Sequence, residues 1–144
     1  MVEGVSSIHL SRERIDHFAN HPLHKAFGLT LEELRPGFAR IRMATSDFTQ
    51  GGVGGSVHGG ILAALVDIAM LQAQITVLGP SDVPAGTADL SITYLRPALG
   101  ANIHAEATIL RKGRQLMVTE VEILDGEGRL CAKGRTIYSL RAKG

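Results

Sequence analysis

Residues 60–78 read GILAALVDIAMLQAQITVL, and the spacing within this stretch decides the fold. Apolar side chains fill nearly every position, which is the density of a helix buried on most sides rather than the single stripe of a surface helix. Gly79-Pro80 follows as a stop signal. About 18 apolar residues would suffice to cross a membrane. Asp67 stands near the centre, however, where a carboxylate costs roughly 2.5–3.5 kcal/mol even on the mildest insertion scale. Gln72, Gln74 and Thr76 add polarity, and no basic flank fixes an orientation. The stretch therefore reads as one central helix inside a protein core.

On both sides of it the period changes to two. Upstream, Phe27, Leu29 and Leu31 alternate, and Arg35-Pro36-Gly37 turns the chain into Ala39, Ile41 and Met43, which alternate with Arg40 and Arg42. Downstream, residues 90–94, 103–109, 117–123 and 130–140 read as strands. Their connections at 96–100, 112–114 and 125–128 are short and of hairpin type, so these strands form an antiparallel meander. Before all of this, Ser11 is a fair N-cap for a short helix carrying Ile15 and Phe18, which Pro22 ends or follows. The fold class is α+β: a long central helix wrapped by a curved antiparallel sheet, with a short N-terminal helix. The domain reading is a helical segment over residues 1–25 and a single core over 26–141, the whole chain of 144 residues being one domain.

Composition excludes several function classes. With 44% hydrophobic and 20% charged residues the chain is no disordered segment. Its 15 Lys+Arg against 14 Asp+Glu leave +1, so no global field draws it to nucleic acid or anionic lipid. Aromatics at 4%, with no Trp, leave little to stack on bases. One cysteine, Cys131, rules out an intrachain disulfide and reads as a buried strand residue. No signal-peptide pattern opens the sequence, so a cytoplasmic location is expected. His17, His21 and His24 have metal-like spacing, but Pro22 interrupts them, and a solvated or sheet-packed segment is favoured over a metal site.

The chemistry concentrates where the loop enters the helix. Residues 49–60, TQGGVGGSVHGG, hold six glycines in twelve positions. Glycine lets a backbone approach a ligand closely, and a helix N-terminus presents unpaired N–H groups suited to an anion or a developing oxyanion. No Gly-Lys-Ser/Thr follows, so this is no phosphate loop. Asp67 lies two helical turns beyond Gly60. A carboxylate in so apolar a helix must neutralise, find donors or line a cavity where its charge is used. Leu62, Leu65, Val66 and Met70 are expected to form the apolar wall beside it.

His58-Gly59-Gly60 followed by Leu65, Asp67 and Ala69 resembles the HGG-x-x-x-x-L-x-D-x-A signature of PaaI-like hotdog thioesterases. The resemblance continues through Tyr94-Leu95-Arg96-Pro97-Ala98, through Lys112-Gly113-Arg114 and through the pattern from Asp125 to Thr136, covering roughly Phe27 to Leu140. It implies a hotdog fold and an acyl-CoA thioesterase acting on aryl or short- to medium-chain acyl-CoA, with no metal and no cofactor beyond the CoA of the substrate. Asp67 then matches the catalytic carboxylate, either activating a water or attacking directly to form an anhydride. Gly59 matches the backbone oxyanion donor, with Gly60 a candidate second, and His58 the signature histidine, which either shapes the loop or acts directly in catalysis. Thr87 matches a hydroxyl near the attacking water, and Arg96, Lys112 and Arg114 match cations that meet CoA phosphates. In this family the Asp and the Gly come from opposite subunits, so a homodimer with shared sites is implied, with a dimer of dimers (a homotetramer) beyond it. One position departs: relatives often carry Asn six residues before the His, and here Gly52 stands there, with Gln50 two residues away. Two other functions stay open. One is a non-catalytic acyl-CoA-binding module; the other is a hotdog hydratase for enoyl or hydroxyacyl thioesters, whose loop proline this chain lacks.

Overall fold

The computed structural model describes residues 9–142. Two short helices, α1 (Arg12–Asn20) and α2 (Pro22–Phe27), precede β1 (Leu29–Arg35) and β2 (Phe38–Ala44). A single 3-10 turn at Val53–Gly55 leads into α3 (Gly59–Ile75). The chain continues as β3 (Asp82–Tyr94), β4 (Asn102–Lys112), β5 (Leu116–Leu124) and β6 (Leu130–Ala142). All six strands form one antiparallel sheet in the order β1-β2-β4-β5-β6-β3, and α3 packs against its inner face. This is the hotdog arrangement expected from the sequence.

Strand alternation builds the core as the period of two requires. Ala39, Ile41 and Met43 of β2, Ile103, Ala105 and Ala107 of β4, and Met117, Val121 and Ile123 of β5 are fully buried against α3. The intervening Arg40, Arg42, His104, Glu106, Glu120 and Glu122 are turned away from it. Helix α3 presents Leu62, Leu65, Val66, Ala69, Met70 and Ala73 to the sheet, and Gly134 of β6 lets it approach. A Cβ there would stand 2.7 Å from both Val66 methyl carbons. No helix among the described residues is long and apolar enough to cross a membrane.

The N-terminal segment differs from expectation in one respect. Ser11 caps α1 as read, accepting from Arg14 N–H at 3.2 Å. Phe27, however, ends a second helix rather than opening β1. Pro22 at the first turn of α2, with its fixed φ, and Gly28 in the left-handed region at φ 70° bound that helix from both ends.

Strand β3 lies at the sheet edge and pairs on one side only, with β6. It starts at Asp82 and tolerates Pro84, whose missing N–H an edge strand can spare. Two register shifts interrupt its pairing, between Pro84 and Gly86 and between Thr87 and Asp89.

Candidate active site

The glycine-rich loop is a closed structure. Gly51 and Gly52 N–H both donate to Ser56 O, at 3.1 and 2.9 Å, and Gln50 pairs with Val57 across the loop. Val57 N–H donates to Ala98 O and His58 N–H to Thr49 O, so the loop is tied both to the segment after β3 and to itself. Gly54 and Gly55 turn it at φ 65° and 80°. Position 52 has no room for a side chain: a Cβ would collide with Ser56 Oγ and lie 2.8 Å from Val57 O. The loop is thus built around Gly52, and an Asn there would need a different backbone path.

His58 caps α3, its Nδ1 accepting from Gly60 N–H at 2.9 Å. That bond engages the Gly60 donor, which corrects the expectation of Gly60 as a second oxyanion donor. Gly59 N–H, one position earlier, makes no hydrogen bond among the described residues and is the free donor at the helix start. Tyr94, at the end of β3, donates from Oη to Gly59 O at 2.6 Å. Its ring lies close enough that a Cβ on Gly59 would stand 3.3 Å from it. Gly52, Val53, Ser56, Gly59, Leu62, Tyr94, Leu95 and Arg96 line a recess of about 370 Å³ at this end of the helix.

Asp67 is half-buried, not sealed in the core. Its neighbour Val66 faces Gly134, and the helical twist turns Asp67 toward edge strand β3. There Thr87 donates from Oγ1 to Asp67 Oδ1 at 2.8 Å. The β3 bulge makes that contact. With strict alternation Thr87 would share the outward face of Ser91 and Thr93; the extra residue Ala88 reverses the parity and brings Thr87 to the helix face, opposite buried Tyr138. The expected wall beside Asp67 is corrected as well. Leu65, Val66 and Met70 are consumed by packing on the sheet, and only Leu62 reaches the recess.

Within one chain the site residues fall into two groups. His58, Gly59, Gly60, Gly52 and Arg96 surround the start of α3, while Asp67 and Thr87 meet farther along it. Gly59 and Asp67 stand eight positions apart on the helix, about 12 Å along the axis. The basic residues also divide. Arg96 lines the recess, whereas Lys112 lies at the other end of the sheet, level with Met117, Tyr138 and Thr87 across the strands. Lys112 Nζ is 2.8 Å from Asp82 Oδ2, and this partner, with Gly79 N–H, holds the Asp82 carboxyl below its usual range. Arg114 is exposed in the β4–β5 hairpin and makes no ion pair among the described residues.

Residues 54–132 match the family model described as the thioesterase superfamily, more than half of the chain. The chain belongs to the thioesterase superfamily. It is similar to a Saccharolobus solfataricus protein whose name gives it provisionally as an esterase, 31% identical over 107 residues, 74% of this chain and 69% of that one. It is also similar to the medium/long-chain acyl-CoA thioesterase YigI of Escherichia coli, 27% identical over 130 residues, 81% of this chain and 84% of that one. Among solved structures, a single-residue mutant of the phenylacetic acid degradation protein PaaI from Thermus thermophilus superposes with a TM-score of 0.71 at 30% identity, covering 83% of this chain and 98% of that one. The PaaI-type hotdog resemblance read from the sequence holds, and the protein is a thioester hydrolase.

The remaining candidates of this thioesterase are structural. Cys131 is fully buried in β6, and burial pushes its thiol pKa up, away from the thiolate a nucleophile needs. His21 Nδ1 caps α2 by accepting from Leu23 N–H. His24 stacks on His21 and lies within hydrogen-bond distance of Phe18 O. Sequence reasoning named Tyr94 in a strand and in the Tyr94–Ala98 part of the resemblance but gave it no role at the site. The one signal was its place at the end of a strand just ahead of Leu95-Arg96-Pro97, where the chain leaves the sheet beside the glycine loop.

Proposed function

We propose that the protein hydrolyses acyl-CoA thioesters at a site shared by two copies of the chain. Asp67 acts as general base. It takes a proton from water, the hydroxide attacks the thioester carbonyl, and the oxyanion is held by Gly59 N–H of the other subunit. Collapse breaks the C–S bond, and the departing CoA thiolate recovers the proton from Asp67, leaving a carboxylic acid and free CoA. The observation that carries this reading is the Thr87 bond to Asp67. One carboxylate oxygen is oriented by a hydroxyl, while the half-buried group stays at the open edge of the sheet instead of being consumed by a buried cation. Thr87 is thus the group that aims the base.

The 12 Å between Asp67 and Gly59 supports a shared site, because a base and an oxyanion donor acting on one carbonyl must each lie about 3 Å from the reacting atoms. The free edge of β3 supports the same assembly: 13 residues with backbone groups unpaired on one side form a template for a second copy. A dimer of dimers in the cytoplasm is the assembly we propose. Arg96, with Lys112 and Arg114 approaching from the other end of a sheet, would meet the CoA phosphates. The apolar recess beside Gly59 suits an aryl or a short- to medium-chain acyl group.

Release of free thiol from a panel of acyl-CoA substrates tests the reading. Asp67→Asn is nearly isosteric, so turnover on the best substrate should fall by at least about 10²-fold, the low end for removal of a positioned base, with KM changed far less. Thiol release that survives Asp67→Asn would make Asp67 a structural acid. Acyl-CoA binding without thiol release in the unaltered protein would leave a binding module.

A further inference from the structure

We infer that Tyr94 is a positioning residue that fixes the geometry of the oxyanion donor. The inference rests on the proposed role of Gly59 N–H. A run of two glycines at a helix start raises a physical difficulty. Glycine is needed for close approach, yet it has the widest backbone freedom of any residue, while an oxyanion hole works through donors that are already in place before the charge develops. At Gly59-Gly60 that freedom is removed from outside the helix. The peptide joining the two glycines is gripped at both ends by side chains: His58 Nδ1 accepts from its N–H at 2.9 Å, and Tyr94 Oη donates to its carbonyl at 2.6 Å.

His58 is local to the loop, but Tyr94 comes from the last residue of β3, so its bond ties the helix start to the sheet. The ring adds a second restraint. It packs so closely on Gly59 that a Cβ would stand 3.3 Å from its ring carbon and hydroxyl oxygen, which limits how far the Cα can swing. With the Gly59–Gly60 peptide held on one side of the Cα, the preceding peptide, which carries the free Gly59 N–H, has little rotation left. The hydroxyl is spent on the Gly59 carbonyl, while the ring is the part of Tyr94 that lines the recess, so loss of the hydroxyl alone belongs in kcat rather than in substrate affinity.

Tyr94→Phe isolates the hydroxyl while keeping the ring. Complete loss of an oxyanion donor costs about 10²–10³ in rate, and loosening one should cost less, so kcat should fall about tenfold. KM should stay within about twofold and the melting temperature should be unchanged, a split that a merely structural role would not produce. Amide hydrogen exchange at Gly60, followed by NMR, should accelerate in the same variant, since its N–H is held by the clamped peptide. Asp67→Asn assayed on the same substrate separates the two readings. If Asp67→Asn is slow while Tyr94→Phe keeps kcat within twofold, or leaves Gly60 exchange unaltered, the Tyr94 inference is overturned and the hydrolytic reading stands. If Asp67→Asn turns over like the unaltered protein, both fall together.

Discussion

Val66 and Asp67 are neighbours in sequence, but α3 turns them about 100° apart, and that angle separates packing from chemistry. Val66 is buried against Gly134 while Asp67 reaches the edge where Thr87 waits. The sequence made Asp67 conspicuous, since a lone acid among so many apolar residues needs an explanation. It did not reveal that the acid would be half-buried at an edge, because helix rotation against the sheet is set by which residues pack best, a tertiary property. Gly52 teaches the converse. Read as the loss of a side chain, it is a requirement of this loop's own path, with Ser56 Oγ and Val57 O filling the space. The basic residues give a prediction at this scale. On the proposed phosphate role of Arg96, Arg96→Ala should raise KM for CoA thioesters about tenfold or more, as loss of a charge-assisted phosphate contact does, and leave pantetheine thioesters nearly unchanged. Lys112→Ala and Arg114→Ala should show the same contrast between substrates. Equal effects on both would assign the altered residue to structure.

Elements were legible to different depths. Helix α3 was legible from its apolar density and the strands of the meander from their period of two. The helix, however, ends at Ile75, three residues before residue 78, and β3 starts at Asp82, eight residues before the stretch read as a strand. Phe27 was misplaced because Phe27, Leu29 and Leu31 alternate as a strand would, while the signals for α2, Pro22 at its start and Gly28 at its end, punctuate too short a helix to show a period. The bulge at Ala88 was invisible for a stronger reason: it is defined by which residues of β6 lie opposite, and without it Thr87 would face away from Asp67. Tyr94 belongs to the same class, because it bridges the end of β3 to the start of α3. The close approach of helix to sheet at Gly134 supplies the test of packing. Gly134→Ala places a methyl carbon against Val66 and should destabilise the fold by about 1–3 kcal/mol, as overpacking does. In denaturant titrations the double variant with Val66→Ala should cost less than the sum of the two single changes, since each makes room for the other. Strict additivity would mean that the two residues do not share this contact.

Across the whole molecule, the response to acid is set first by histidines. His104, on the outward face of β4, has its pKa lowered chiefly by burial and next by Arg40, with Glu32 opposing, so its 3.4 Å contact with Glu32 is not an ion pair near neutral pH. His24 is lowered by burial as well, against its backbone contact with Phe18, with His21 and His17 adding to the lowering. A depressed pKa in the folded chain means that the unfolded chain binds more protons in mild acid. The stability these groups contribute is therefore complete above their ordinary value of 6.5 and is lost as pH falls from there through their folded values. Melting temperature should decline as pH falls below 6.5, and His24→Gln with His104→Gln should flatten that decline; an unchanged slope would contradict the assignment. Asp82 and Asp125, both held below the usual carboxylate range by hydrogen-bond donors, should add a further loss only in stronger acid. Assembly is the other property of the whole molecule, and the account depends on it most, because Asp67 and Gly59 of one chain lie too far apart to serve one carbonyl. The measurement is acyl-CoA hydrolysis by mixed assemblies of two inactive chains, one carrying Asp67→Asn and the other Gly59→Pro, which removes the N–H at a first-turn position whose φ suits proline, with Tyr94 giving way to the ring. If each site takes its base from one chain and its oxyanion donor from the other, a mixed dimer holds one doubly altered site and one intact site, and random pairing should restore about a quarter of the unaltered activity. Mixtures that stay as inactive as their parents would place base and donor in the same chain and contradict the shared site.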